Sequence, residues 1–310
     1  MFLLNDKNYN EIAQNLQKTV AQDRVKINEP LSLHTTFKIG GPADLLVFPA
    51  NMQEVAGALK IAEQNSLPVT VLGNGSNVLV LDKGIRGLVL KISEHMSSIR
   101  RTDTTVFAQS GALLSDIAQF TAGHALTGFE FAVGIPGSIG GAVFMNAGAY
   151  DGEIRNVILA VNSVSPQGEI RRFLREELAF GYRHSIFQDN HHIICEVEIG
   201  LAVGNQCEIE AKMFDLTDRR ESKQPLEMPS AGSTFKRPPG FFAGTLIEQS
   251  GLKGFVLGGA QVSEKHAGFI VNAGGATALD VLNLIKEVQR RVFDKFGVML
   301  QPEVRIMGEQ

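Results

Sequence analysis

One segment of the chain spaces glycine, serine and asparagine as a site for a flat or phosphorylated ligand would require. It runs from Gly134 to Gly148 (GIPGSIGGAVFMNAG), and five of its fifteen residues are glycine. Glycine lets the backbone approach a ligand closely, but it costs chain entropy on folding. The apolar residues between the glycines argue against a flexible linker, which would be polar. We therefore expect this backbone to pack against a bound group.

A second glycine-rich segment, Gly73–Asn77 (GNGSN), lies between two predicted apolar strands. Its backbone N–H groups could form a nest for a diphosphate. Asn-Gly is also the commonest hairpin signal, and taken alone a simple hairpin turn is the favoured interpretation. Residues 137–141 could likewise offer N–H groups to phosphate at a helix start. Neither segment matches the dinucleotide fingerprint or a P-loop, so the pair suggests a cofactor whose pyrophosphate is held from two sides.

A serine-containing loop, Gly232–Pro238 (GSTFKRP), combines a hydroxyl with two cations. It could hold the Ser233 hydroxyl beside the positive charge of Lys236 and Arg237. A loop that contacts phosphate, or one that is merely basic, fits the same local features equally well. Ser233 lacks the Gly-x-Ser-x-Gly signature, so a hydrolase triad is not indicated.

Other charged residues are weaker candidates by themselves. Arg183, which follows Tyr182, is by default a solvated surface charge. Alternation puts Glu303 and Arg305 on one face of a C-terminal strand. The histidines, including His266, lack the spacing of a metal site, so no metal is expected.

Composition excludes several classes of protein. A net charge of −4 over 310 residues gives no global attraction to nucleic acid or to anionic membranes, so any anion must be bound by local clusters. Two cysteines do not make a disulfide framework. Neither a signal peptide nor a long apolar segment is recognisable. These features predict a cytoplasmic globular protein.

Hydrophobic periodicity predicts alternating helices and strands. Helices are expected from a cap at Asn51, over 112–122, 208–220 and 243–250, and over 277–296 with a capping box at its start and Gly297 at its end. Strands are expected at 67–72, 78–81, 88–90, 158–164, 169–173, 193–201 and 304–306. The pattern predicts an α+β protein whose character changes near residues 200–207.

Taken together, these segments resemble the UDP-N-acetylenolpyruvoylglucosamine reductases (MurB) of peptidoglycan synthesis. The matching motifs occur in the family's order and cover roughly residues 31 to 307. Any one motif is weak, whereas the ordered set is highly specific. They are Thr35–Pro42, Gly73–Asn77, Gly134–Gly141, Asn146–Gly148, Tyr182 with Arg183, Gly232–Phe235 and Pro302–Val304.

The resemblance implies a two-lobed FAD-binding fold of the vanillyl-alcohol-oxidase (PCMH) type plus a C-terminal α+β substrate-binding lobe. The implied boundaries are an N-terminal helical extension at 1–30, an FAD-binding domain at 31–203 with lobes of about 31–92 and 93–203, and a substrate-binding domain at 204–310. The last strand of the third part is expected to return to the active site.

The resemblance also implies a bacterial, cytoplasmic enzyme that binds FAD noncovalently and uses NADPH as hydride donor. Reduced flavin passes hydride to C3 of the enolpyruvyl group of UDP-N-acetylglucosamine enolpyruvate, which gives UDP-N-acetylmuramate. Its partner is this UDP-sugar; no nucleic acid or membrane partner is expected, and a monomer is the default. The implied FAD-binding residues are Gly73, Asn74, Gly75, Ser76, Asn77, Gly134, Ile135, Pro136, Gly137, Ser138, Gly140, Gly141, Asn146, Ala147 and Gly148.

Catalytic roles follow from the same match. The resemblance implies that Arg183 and Glu303 stabilise negative charge at C2 and on the carboxylate, with Glu303 either protonated or orienting the enolate and Arg183. It also implies that Ser233 gives its proton to C2; because serine is a poor acid, it would need a nearby cation or relay, for which Lys236 is a candidate. Substrate contacts are implied for Tyr182, Lys236, Arg237, His266 and Arg305.

The family has two forms, and the longer one carries an inserted loop with a tyrosine that closes over the substrate. No tyrosine follows Tyr182 here, and only fifty positions separate Arg183 from Ser233. The chain therefore resembles the shorter form, and its cover over the uridine must be different.

Two other functions remain open on the sequence alone. One is a different FAD-linked oxidase of the same superfamily, although residues 134–148 contain no His or Cys that could tether a flavin. The other is a nonenzymatic nucleotide-binding protein. The presence of Ser233 together with Arg183 and Glu303 argues against a mere binder, which needs no proton donor.

Overall fold

The computed structural model describes residues 8–150 and 152–310, which divide into two compact units. The first unit comprises residues up to 28, 44–74 and 87–218. The second comprises residues 29–43, 75–86 and 219–310. This division rests on contacts within the fold, and the domain boundaries expected from the sequence stay a prediction.

The two longest helices of the described residues have 18 and 19 residues and span 206–223 and 278–296. The described helices are α1 (Tyr9–Leu16), α2 (Met52–Gln64), α3 (Leu114–Ala122), α4 (Ile139–Met145), α5 (Phe187–Asn190), α6 (Gln206–Lys223), α7 (Ala243–Gln249) and α8 (Ala278–Phe296).

Strands are numerous and mostly short. They are β1 (Val25–Pro30), β2 (Pro42–Val47), β3 (Val69–Leu72), β4 (Val78–Val80), β5 (Ile85–Lys91), β6 (Ile99–Thr102), β7 (Thr105–Gln109), β8 (Leu126–Thr127), β9 (Gly148–Ala149), β10 (Gly152–Glu153), β11 (Ile158–Val164), β12 (Ile170–Leu174), β13 (Ile193–Gly200), β14 (Ala202–Val203), β15 (Ser230–Ser233), β16 (Val256–Leu257), β17 (Ala260–Val262), β18 (Phe269–Asn272) and β19 (Arg305–Met307).

The first unit contains two larger sheets, besides the short pairs β9-β10 and β8-β14, and each larger sheet packs against an apolar core. One sheet has the order β1-β2-β5-β3, and α1 and α2 bury their apolar faces in its core. The other is the antiparallel sheet β12-β11-β13-β7-β6, whose core includes residues of α3 and α4. Each helix buries one face because its apolar residues recur at three- and four-residue intervals.

The second unit is built on the antiparallel sheet β15-β18-β17-β16, with α7 and α8 in its core. A separate parallel pair joins β19 to β4, with Arg305 opposite Val78. The carboxylate of Asp82 accepts the N–H groups of Ala278 and Leu279 at 2.8 and 3.0 Å, which satisfies two free donors at the start of α8.

Several local predictions are confirmed. Asn51 Oδ1 accepts the N–H of Glu54 at 2.9 Å, as the expected cap requires. Thr277 and Asp280 form the capping box of α8, and Gly297 ends the helix with a φ of 67°. Both signals depend on backbone groups within one helical turn, so neighbouring residues suffice to specify them.

Two expectations need correction. Gly73–Asn77 is not a hairpin turn, because β3 pairs in parallel with β5 and β4 pairs in parallel with β19. The N-terminal segment predicted to be helical contains α1 but ends in strand β1. Both corrections have one cause: strand pairing is set by residues distant in sequence, which a local turn signal cannot report.

The two cysteines have opposite environments. Cys195 is fully buried in β13, and burial raises the pKa of its thiol to about 12, whereas Cys207 on α6 is exposed. Since the thiolate is the reactive form, we expect one thiol of the native protein to react rapidly with Ellman's reagent and the other only after unfolding. Cys207→Ser should remove the rapid phase; a rapid phase that persists in this variant would contradict the assignment.

Among the described helices, none is both long enough and apolar enough to cross a bilayer.

Candidate functional site

Gly73 and Ser138 lie close together in the first unit. The Ser138 hydroxyl is buried, with the residue only 2% exposed, and it has no hydrogen-bond partner. A Cβ atom placed on Gly73 would lie 3.0 Å from this oxygen. Buried hydroxyl groups normally have partners, so an unpaired one beside bare backbone indicates a ligand group that would complete it.

The backbone of the segment Gly134–Gly148 also packs closely against a neighbouring part of the chain. α4 begins at Ile139, as the proposed helix start in 137–141 requires. A Cβ atom on Gly140 would overlap the Ser110 hydroxyl, and the N–H of Gly140 donates to Ser110 O at 2.9 Å. The glycine is therefore needed here for close approach of two chain segments, whatever it contributes to a ligand.

Asn146 links the glycine-rich segment to the Tyr182–Arg183 motif. Its side-chain amide donates to Gly181 O at 2.9 Å and to Glu153 at 3.0 Å, and its Oδ1 accepts the N–H of Arg155 at 3.1 Å. The residue is buried and has a φ of 43°. Its side chain thus anchors the loop that carries Arg183, which the sequence motif alone did not reveal.

Arg183 is held in an unusual backbone conformation. Its φ is 55°, in the left-handed region, and its carbonyl accepts a hydrogen bond from Gln188 at 2.9 Å. The guanidinium lies 5.2 Å from the ring centre of Tyr182, which is itself 61% exposed. A positive φ in a residue other than glycine persists only where its surroundings hold it, and such positions are common at functional sites.

Backbone hydrogen bonds in the second unit join the loop of Ser233 to the segment of Glu303. The N–H of Glu303 donates to Thr234 O at 2.8 Å, and the N–H of Lys236 donates to Gln301 O at 2.8 Å. Ser233 is exposed at the end of β15 and Glu303 is half-buried. Residues seventy positions apart are therefore neighbours because the C-terminal segment pairs with the serine loop.

The C-terminal segment also contacts Asn77. The N–H of Arg305 donates to Asn77 O at 3.0 Å, and the Asn77 amide lies 3.5 Å from Glu303 O. Burial lowers the pKa of the Arg305 guanidinium, but arginine remains a cation near neutral pH. Ser233, Glu303 and Arg305 thus lie on neighbouring chain segments of the second unit. The return of the last strand to the active site stays a prediction.

The other predicted substrate residues differ in their surroundings. The Arg237 guanidinium stacks 4.0 Å from the ring centre of Phe242, and both side chains are exposed. His266 is turned inward: its Nδ1 accepts the N–H of Gly268 at 3.1 Å, and burial lowers its pKa. His266 therefore supports a turn with one ring nitrogen, and its predicted contact with substrate stays a prediction.

One residue of interest was missed by sequence reasoning. Lys91 is 7% exposed, and its ammonium group donates to Gly73 O. The available signal was a lone cation within the otherwise apolar run Leu88–Ile92. In residues 8–150 and 152–310, no group of three or more His, Cys, Asp or Glu side chains is placed to hold a metal ion.

Comparisons with known proteins identify the family of the chain. A family model described as "FAD binding domain" matches residues 43–174, and one described as "UDP-N-acetylenolpyruvoylglucosamine reductase, C-terminal domain" matches residues 224–307. UDP-N-acetylenolpyruvoylglucosamine reductase of Alkaliphilus oremlandii is 50% identical over 95% of this chain and 97% of that protein. The reductase of Clostridioides difficile is 47% identical over 97% of this chain and 99% of that protein.

Solved structures give the same result. The crystal structure of the reductase from Thermus caldophilus superposes with a TM-score of 0.77 at 36% identity, and the match covers 91% of this chain and 97% of that one. A glucose dehydrogenase, Phl p 4.0202, matches 63% of this chain and 44% of its own with a TM-score of 0.50 at 12% identity. The latter likeness concerns the fold alone.

Proposed function

The chain belongs to the UDP-N-acetylenolpyruvoylglucosamine reductase family, and we propose that Ser233, Arg183 and Glu303 do the chemistry of its reaction. The protein is an FAD-dependent oxidoreductase of peptidoglycan synthesis, a UDP-N-acetylmuramate dehydrogenase, with a PCMH-type FAD-binding fold and a C-terminal substrate-binding domain. Relatives near 50% identity that bear the reductase name set aside both the oxidase and the nonenzymatic binder.

The residues of the first unit fit the cofactor. The unpaired Ser138 hydroxyl and the bare backbone of Gly73 leave a buried polar position that a phosphate or ribityl oxygen would satisfy. When bound, FAD supplies to the substrate the hydride that it has received from NADPH. Residues 73–77 and 134–148 are proposed to hold it, with Asn146 acting through the loop that it anchors.

The cationic residues would bind the anionic substrate. Enolpyruvyl UDP-N-acetylglucosamine carries a carboxylate and a diphosphate, and a protein of net charge −4 must bind them with local cations. We assign Arg183 to the carboxylate, because a guanidinium offers paired donors in a plane. Lys236, Arg237 and Arg305 are assigned to the remaining charges.

Ser233 would move the proton that completes the reduction. Its hydroxyl would give a proton to C2 of the enolpyruvyl group. The Ser233 alkoxide that remains needs a cation or a relay to regain a proton from solvent. Glu303 would orient the enolate and Arg183 while negative charge develops at C2. The observation that carries this proposal is the Glu303 N–H to Thr234 O bond of 2.8 Å, since it holds both residues on one edge.

The cellular setting is proposed on the same basis. The substrate of this reaction is a nucleotide-activated sugar, and we propose that the protein uses it in the bacterial cytoplasm as a monomer, with no nucleic acid or membrane partner.

A spectroscopic titration tests the function directly. We expect the purified protein to show a flavin spectrum that bleaches when NADPH is added without oxygen and returns only when enolpyruvyl UDP-N-acetylglucosamine is added. Plain UDP-N-acetylglucosamine, which lacks the enolpyruvyl group, is the matched control and should leave the spectrum bleached. A protein that neither contains nor takes up FAD would overturn the proposal.

A further inference from the structure

Lys91 is a buried cation to which the proposed reduction of the sugar assigns no role. It lies at the end of β5, 7% exposed, in a strand whose other members are mostly buried and apolar. Lysine is seldom buried to this extent, because removing an ammonium group from water is costly. Burial lowers the pKa of Lys91 to about 8.

Strand register places the Lys91 ammonium group beside the glycine-rich segment Gly73–Asn77. β3 and β5 run in parallel with Lys91 opposite Leu72, and the N–H of Ile92 donates to Leu72 O at 2.8 Å. Gly73 follows directly after β3, and Lys91 Nζ donates a hydrogen bond to the Gly73 carbonyl oxygen. The contact is therefore fixed by the sheet and not by a flexible surface chain.

An independent feature marks the same glycine as a ligand position. The Ser138 hydroxyl is buried without a partner, and it lies 3.0 Å from the place that a Cβ atom on Gly73 would take. One side of Gly73 thus carries an unsatisfied hydroxyl, while its carbonyl is bound by a cation. Both features suit an anionic ligand group that passes over this backbone.

We propose that Lys91 is a positioning residue for FAD: it turns the Gly73 carbonyl away from the cofactor and supplies positive charge to the site of its diphosphate. The proposal rests on the FAD binding of the proposed function. A carbonyl oxygen facing a diphosphate would repel it, so binding the carbonyl from the opposite side favours the orientation in which backbone N–H groups face the anion. The positive charge then acts through a medium of low dielectric, where it is weakly screened.

Glu94 is a charged neighbour of Lys91. The Glu94 carboxylate raises its pKa against the effect of burial, and Glu94 itself lies 3.9 Å from His95. Asp44 is engaged at the other end of β5, where it accepts the N–H of Gly87 at 2.9 Å. A bound diphosphate favours the charged form of Lys91, so FAD affinity should be full below about pH 7 and should fall as pH rises through 8.

The test measures the Kd of FAD at several values between pH 7 and 9. The holoenzyme is diluted, and the fluorescence of free FAD reports how much cofactor has been released. In the parent protein we expect the Kd to rise with pH, by at most about tenfold per pH unit. Lys91→Met, which loses both charge and donor, should weaken FAD binding at pH 7 by about tenfold or more and remove the pH dependence. Lys91→Gln keeps a donor for Gly73 without the charge, and should also lose the pH dependence with a smaller loss of affinity.

Lys60→Gln, an exposed lysine of α2 in the same unit, is the control and should keep the parent profile. A parent Kd that is flat from pH 7 to 9, or a Lys91→Gln variant that keeps the parent profile, would overturn the proposal even if Lys91→Met fails to fold. A merely structural role would lower thermal stability without changing the pH profile. If the parent protein bound no FAD at any pH, the proposed function itself would fail, and the two failures are thus distinguishable.

Discussion

Replacing Ser233 by alanine is expected to slow the formation of UDP-N-acetylmuramate by about 10²–10⁴-fold, the usual range for a lost general acid. Reduction of bound FAD by NADPH should continue at nearly the parent rate, because that half-reaction needs no proton at C2 of the sugar. Stopped-flow absorbance of the flavin measures the two half-reactions separately. The fold should tolerate the change, since Ser233 is exposed and surface substitutions rarely alter the free energy of unfolding by more than about 0.5 kcal/mol.

Ser230→Ala is the matched control for this experiment. Ser230 begins the same strand and contributes its backbone carbonyl, which accepts the Thr36 hydroxyl at 2.6 Å, so its side chain can be removed without disturbing that bond. Both half-reactions should keep their parent rates in the control. Turnover of Ser233→Ala at the parent rate would show that the proton reaches C2 from another group.

Replacing Glu303 by glutamine is expected to lower turnover of the sugar by about 10²–10³-fold, the cost of losing one preorganised group at a developing charge. The amide has nearly the same size, and the main-chain bond from Glu303 N–H to Thr234 O does not involve the side chain, so the serine loop should keep its position. The loss should appear in the step that reoxidises the flavin, again read by stopped-flow absorbance.

Glu309→Gln supplies the comparison for the loss of a carboxylate from the same end of the chain. Glu309 is exposed and lies 3.8 Å from Arg86, and ion pairs of this kind contribute little to stability. It should leave both half-reactions unchanged. If Glu303→Gln instead slowed FAD reduction by NADPH, the assignment of Glu303 to the sugar half-reaction would be wrong.

Much of this protein could be recognised in the sequence because its signals are local or ordered along the chain. Caps at Asn51 and Thr277 and the glycine at 297 mark helix ends through bonds within a single turn. The glycine segments mark close backbone approach, as the contact of Gly140 with Ser110 shows. The order of the motifs identified the family, which no single motif could do.

Tertiary pairing decided what local signals could not. The Asn-Gly pair at 74–75 is a strong hairpin signal, yet β3 and β4 each pair with strands from elsewhere in the chain. Turn propensity is worth little against the burial of whole strands, so the distant partners prevail.

The residue types needed for the reaction were therefore determined by the sequence itself: a serine followed by cations, an arginine after a tyrosine, and a glutamate near the C-terminus. Only the tertiary structure placed Glu303 beside the serine loop, tied Asn146 to the loop of Arg183, and buried Lys91 beneath Gly73. The physical reason is the same in each case. Chemistry is a property of a side chain and can be read from its type, whereas proximity depends on strand register and burial, which the whole chain sets together.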